Sequence, residues 1–245
     1  MLASDVDAAA AEATAAAIVA AGGDAIGVAC DVTRRADLDA AAATAIKRWG
    51  AIDVLVNNAG VMPLAFFSDH QAAAAAWDRA IDINIKGVLN GILAVYDQMI
   101  TQGRGQVINI SSIYGNAGTE GSGVYSATKA AVRVMSDSLR VETQGKIKVT
   151  VVRPTGITGT GLGGGVVNPA AIVGLAGQHM DRVGDRMQRL GGDGLRGEET
   201  DADDVRYWAI TPEDLVRQIV YVIDQPWGVS IGDITVRASG EDYIL

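Results

Sequence analysis

Short apolar runs alternate with longer segments of helical period along this chain. The runs Ala25 to Cys30, Val54 to Val56, Val107 to Ile110 and Val149 to Val152 are brief and rich in β-branched residues. That pattern predicts strands buried on both faces of a parallel sheet. Helices are predicted near Ala8 to Ala21, Arg35 to Trp49, Ala72 to Thr101, Val124 to Gln144 and Pro212 to Asp224, with a last strand near Ile231 to Val236. The first helix has aspartates before it and Gly22-Gly23 after it, an acidic start and a glycine stop. Strand and helix in alternation predict an α/β fold, a doubly wound parallel sheet, in a single domain over residues 1–245. The connection at 156–205 is long, with many glycines and charges, and reads as a substrate loop or lid.

Composition narrows the partners. The hydrophobic fraction of 49% suffices for a large core, and 20 Lys+Arg against 29 Asp+Glu give a net charge of −9 without a basic cluster, which argues against nucleic acid. No window approaches the roughly 18 apolar residues that span a bilayer, and the start lacks a secretory pattern, so a cytoplasmic location is expected and a membrane is not. The single cysteine, Cys30, ends an apolar run and reads as a buried, inert thiol. His70 and His179 are far apart and taken as solvent-facing, and no metal site is expected.

Ligands in an open parallel sheet sit beyond the carboxyl ends of the strands, and polar or glycine residues gather there. Cys30 gives way to Asp31-Val32, Val56 to Asn57-Asn58-Ala59-Gly60, Ile110 to Ser111-Ser112, and Arg153 to Pro154-Thr155-Gly156. Downstream, GVYSATKAAV places Tyr125 and Lys129 at i and i+4 on one helix face. An ammonium beside a phenol favours the phenolate, so Tyr125 is a candidate acid/base; alone, the same spacing far more often means a packed Tyr and a Lys reaching to water. Hydrolysis through Ser112 would call for a nearby histidine, which the pattern does not supply.

These residues together resemble the short-chain dehydrogenase/reductase family, from the first residue to nearly the last: NNAG at Asn57 to Gly60, NIKG at Asn84 to Gly87, INISS at Ile108 to Ser112 and YSATK at Tyr125 to Lys129, with Tyr125 thirteen positions after Ser112. The resemblance implies a Rossmann fold and an oxidoreductase that moves a hydride between a nicotinamide cofactor and a secondary alcohol or ketone. It implies Tyr125 as acid/base, Lys129 lowering its pKa and holding the nicotinamide ribose, Ser112 on the substrate oxygen and Asn84 holding a water in a proton relay. Asp31, Val32, Asn57, Ala59 and Gly60 would line the cofactor cleft, with Pro154 and Ile157 near the nicotinamide. A homodimer or homotetramer is implied, with the two long helices as interface candidates.

MLASDVD is similar to the end of the family's second strand and its acidic residue, so Asp5 favours NAD over NADP; the alternative makes Asp5 or Asp7 a plain helix N-cap. Nothing like the family's first strand and glycine-rich turn precedes Met1, so the fold is expected to be N-terminally incomplete, with two unpaired strand edges facing a gap. The alternative function is therefore a truncated, non-catalytic relic. PTGITGT departs from the family as well, with Thr155 where glycine is usual.

Overall fold

The computed structural model describes residues 1–245 apart from Gly191 and Asp193, two positions of the 156–205 connection that lie outside the described residues. Strand and helix alternate in the order β1 (Leu2–Asp5), α1 (Ala8–Ala20), β2 (Ile26–Ala29), α2 (Arg35–Trp49) and β3 (Val54–Asn57). Then come α3 (His70–Ile81), α4 (Val88–Thr101), β4 (Gly105–Ile110), α5 (Gly123–Glu142) and β5 (Ile147–Pro154). The connection after β5 carries α6 (Val173–Ala176), α7 (Met180–Leu190) and α8 (Gly197–Thr200), and α9 (Pro212–Ile223) and β6 (Asp233–Val236) follow.

All ladders are parallel, which puts the carboxyl ends of paired strands on one edge. β3, β4, β5 and β6 form one four-stranded sheet in that order, while β1 and β2 form a separate pair. β1 bonds to β2 and β3 to β4, and no ladder joins β1 to β3 among the described residues. Consequently the expectation of strands buried on both faces holds for β4 and β5, which are buried nearly throughout. It fails for β2, which has no fully buried residue, and for β3, whose Val56 is exposed. A strand bonded along one edge only cannot be enclosed as a central strand is.

Period-2 alternation sends the side chains of β4 and β5 to two cores. Val107 and Val149 meet Val88, Ile92, Val95 and Met99 of α4 and Val132 and Leu139 of α5. Ile108, Ile110 and Val152 meet Ile210, Leu215 and Val222 on the opposite face. In the β1–β2 unit, Gly27 lets α1 approach closely: a Cβ there would lie 2.6 Å from the backbone of Ala11. Asp7 caps α1, accepting from the backbone N–H of Ala9 at 2.9 Å and Ala10 at 3.3 Å.

The single helix expected over 72–101 is interrupted by a π-helical turn at Asp82–Gly87 between α3 and α4. Asn84 sits in that widened turn, fully buried. Such insertions recur at functional sites because they redirect one side chain without breaking the helix. No helix among the described residues is long and apolar enough to cross a membrane.

Candidate active site

Strand β4 and helix α5 bring the chemistry together. Beyond the end of β4, Ser112 adopts an extended conformation, and its Oγ accepts the Tyr114 N–H at 3.2 Å, leaving the hydroxyl hydrogen free to donate. Tyr125 lies in the first turns of α5 with 3% exposure, within reach of the Ser112 hydroxyl. Lys129, one turn further along, points into the same cleft: its Nζ is 5.9 Å from the Tyr125 ring centroid and donates to the Ile110 carbonyl at 3.0 Å. Gly60 brings the β3 loop against this ammonium, since a Cβ there would lie 3.3 Å from Lys129 Nζ and 3.4 Å from Asn84 Oδ1. A side chain would close that space; glycine leaves it open.

Asn84 acts as a clamp. Its Nδ2 donates to the Val61 carbonyl at 2.9 Å and to Thr128 Oγ1 at 3.0 Å, while its Oδ1 accepts the Val61 N–H at 2.9 Å. Thr128 in turn donates to the Tyr125 carbonyl at 2.7 Å. The β3 loop, the π-turn and α5 are thus tied through one buried amide. Both Nδ2 hydrogens are committed, so a relay water could meet this side chain only at Oδ1.

Electrostatics depart from the expectation that Lys129 lowers the pKa of Tyr125. Burial pushes the Tyr125 phenol up, and a hydrogen bond with the Ser112 side chain opposes it. The ammonium faces a backbone carbonyl, so in this geometry desolvation outweighs it. Burial likewise brings the Lys129 ammonium down to about 8. Because the unfolded chain then binds this proton more tightly than the native state, the cost of the buried charge is complete below about pH 8 and fades as pH climbs toward the ordinary value of 10.5. The urea midpoint of the wild-type protein is therefore expected to gain on that of Lys129→Met between about pH 8 and 10, with a constant difference at lower pH. Parallel curves across that range would remove Lys129 from the buried, depressed state described.

The other positions singled out from the sequence end or follow β1, β2, β3 and β5. Asn57 ends β3, and its Nδ2 donates to Asn109 Oδ1 at 2.8 Å. Asp31 is half-buried and bound by the backbone and hydroxyl of Thr33 at 2.9 and 2.8 Å, which hold its carboxyl below the usual range. Val32 packs on the π-turn, where a Cβ at Gly87 would meet its side chain at 2.7 Å. Ala59 is exposed. Asp5 ends β1, also exposed, and accepts the Asp7 N–H at 2.9 Å; Asp7, not Asp5, is the N-cap. Pro154 ends β5, and Ile157 pairs with Ile210 and packs into the core beside α9. Asp5 ends β1 and Asp31 follows β2, in the separate β1–β2 pair, and among the described residues no hydrogen bond links them to Ser112, Tyr125 or Lys129. Cys30 is buried as expected, and its N–H extends the β1–β2 ladder to the Asp5 carbonyl at 2.8 Å.

One expectation is corrected and several residues are new. His70 is exposed, but His179 is half-buried and donates from Nδ1 to the Asp242 carbonyl at 2.9 Å, because α7 folds against the segment after β6. Asn109 and Ser136 were not anticipated: Asn109 Nδ2 donates to Ser136 Oγ at 2.8 Å, continuing the bond from Asn57 across β4 into α5. Ser111 donates to the Lys129 carbonyl at 2.8 Å. A polar residue inside an apolar strand run, such as Asn109, is the signal that could have exposed this chain, since a buried amide needs partners.

With the geometry in view, the relatives can be read against it. Residues 1–168 match the short chain dehydrogenase family. The chain belongs to that family. An oxidoreductase of Staphylococcus saprophyticus is 33% identical over 211 residues, covering 86% of this chain and 75% of its relative. The fold agrees with an alcohol dehydrogenase of the archaeon Thermococcus sibiricus complexed with 5-hydroxy-NADP, at a TM-score of 0.75 and 16% identity over 98% of this chain and 86% of the other. It agrees also with a 7α-hydroxysteroid dehydrogenase complexed with NADH and 7-oxo glycochenodeoxycholic acid, at a TM-score of 0.74 and 24% identity over 98% and 83%. This short-chain dehydrogenase is thus an α/β oxidoreductase of Rossmann type.

Proposed function

We propose that the chain interconverts a secondary alcohol and a ketone at the expense of NAD(H), with Tyr125 as the acid/base. The observation that carries this reading is the convergence of Ser112, Tyr125 and Lys129 at one place, beside the space that Gly60 leaves open next to Lys129 and Asn84. A bound nicotinamide dinucleotide supplies or takes up the hydride. The residues fit such a group: glycine leaves room beside Lys129, whose ammonium has donors beyond the one given to Ile110 and can bind ribose hydroxyls. Ser112 donates to the substrate oxygen as negative charge gathers on it, and Tyr125 passes it a proton. Burial favours the protonated phenol, the form needed when a carbonyl is reduced. Lys129 then faces the resulting phenolate across the ring and stabilises it.

Asp5 supports NAD as the partner, because an exposed carboxylate at the end of β1 accepts from ribose hydroxyls and repels a 2′-phosphate. Titrating NADH and NADPH by fluorescence, followed by a panel of secondary alcohols and ketones, tests the reading. Asp5→Ser is expected to shift the NADP-to-NAD affinity ratio by about tenfold, equivalent to about 1.4 kcal/mol; an unchanged ratio would remove Asp5 from cofactor selection. The relic alternative draws on the break between the two sheets and requires that neither dinucleotide bind saturably. Self-association is part of the proposal: Leu89 and Leu93 of α4 and Val134 and Val141 of α5 leave an apolar face uncovered.

A further inference from the structure

Beyond β6 the chain returns to the active site. Tyr243 packs into the same cluster as Tyr125, Tyr114, Leu64 and Leu175, and meets the Tyr114 ring edge-on with centroids 6.3 Å apart. Its hydroxyl lies against Gly156, in the turn that ends β5, where any Cβ would collide with the phenol. Among the described residues no hydrogen bond reaches this hydroxyl. Both flanking residues are fastened. Asp242 is 2% exposed, its carboxylate paired with Arg186 and Arg182 and accepting the Trp208 Nε1–H at 3.2 Å, and the Ile244 N–H donates to the Leu175 carbonyl at 3.2 Å. A phenol so held, beside the proposed acid/base and lacking a polar partner, is placed to meet a ligand.

We propose that Tyr243 is a specificity-determining residue, its hydroxyl binding a second oxygen of the substrate and so favouring diols and hydroxyketones over simple apolar alcohols. This rests on the alcohol and ketone reading given above. Burial and the neighbouring Glu241 raise its pKa to about 12, so at neutral pH it acts as a neutral hydroxyl and not as an anion. The rest of this cluster, Leu64, Ile113, Val166, Ile172 and Leu175, is apolar and offers the hydroxyl no competing hydrogen bond. Asp242 is a positioning residue in this scheme.

The test compares cyclohexanol with the 1,2-, 1,3- and 1,4-cyclohexanediols, in turnover with NAD and in calorimetric binding, using wild-type, Tyr243→Phe and Tyr125→Phe proteins of matched melting temperature. At least one diol is expected to be preferred over cyclohexanol by about tenfold in the wild type, the worth of one neutral hydrogen bond. Tyr243→Phe should abolish that preference while changing kcat/KM for cyclohexanol by less than about twofold. Tyr125→Phe should lose turnover yet keep the preference in binding. No preferred diol in the wild type, a preference that survives Tyr243→Phe, or an equal loss for every substrate overturns the assignment. A diol preference in binding that depends on Tyr243, in a wild-type protein that turns over none of the alcohols, would uphold Tyr243 as a binding residue and refute the dehydrogenase reading.

Discussion

Tyr125→Phe is expected to lower turnover by about 10²- to 10⁴-fold, the usual worth of a positioned general acid, while NADH affinity stays within about twofold. The substitution removes one oxygen from a side chain that is 3% exposed and packed among Leu64, Ile113 and Leu175, so the cavity it leaves is smaller than a methyl group. Stability should hold, because no backbone group depends on the lost hydroxyl. Ser112 and Lys129 keep their other partners, the Tyr114 N–H and the Ile110 carbonyl, and so remain in place. Single-turnover kinetics with a saturating ketone and NADH measure the loss directly. A variant that keeps more than a tenth of the wild-type rate would show that the proton comes from elsewhere.

Arg186→Met is expected to destabilise the fold by about 3–5 kcal/mol, read from urea or guanidinium unfolding. Arg186 is a bridge between two buried carboxylates: Nε meets Glu199 at 3.0 Å and Nη1 meets Asp242, whose side chains are 6% and 2% exposed. Removing it leaves both anions enclosed with fewer partners, and replacing water around an unpaired buried charge costs more than the pair itself contributes. Arg189 and Arg182 still reach Glu199 and Asp242, which places the loss toward the lower end. The pH dependence has a definite sign. Hydrogen bonds from Arg189, then from the Arg196 N–H and Arg186, hold Glu199 far below its ordinary value of 4.5, so its stabilisation is complete above that value and disappears as acid protonates the folded state. Acid unfolding of Arg186→Met should accordingly begin at a higher pH than in the wild type; coincident acid transitions would assign the network no part in stability.

The parts of this molecule that sequence could reveal are those with local causes. Helix α2 was expected to run from Arg35 to Trp49 and does, because charge pairs and alanines fill it and Gly50 takes a positive φ of 80° just past its end. Tyr125 and Lys129 converge because i, i+4 spacing on a helix leaves little freedom, and Ser112 joins them because it follows a strand run. The π-turn could not be read from apolar periodicity, which passes through it unbroken; the demand of Asn84 for three partners, two of them on Val61, is a tertiary fact. The same holds for the arginine–carboxylate network, where Arg186 and Asp242 stand 56 positions apart. The balance of effects on Tyr125 lies outside the sequence for a related reason: neighbouring charge is visible in spacing, whereas desolvation depends on everything that covers the ring.

The chain of side-chain bonds from Asn57 through Asn109 to Ser136 has a mechanical meaning. Apolar contacts between α5 and the sheet are indifferent to small axial displacement, but amide and hydroxyl bonds are directional and tolerate little. Two such bonds act as an index pin, fixing how far the helix sits along the strands while the grease around it drifts in composition. The reactive phenol and ammonium ride on that helix, so their alignment with the strand ends is set by a lock several residues away from the chemistry itself.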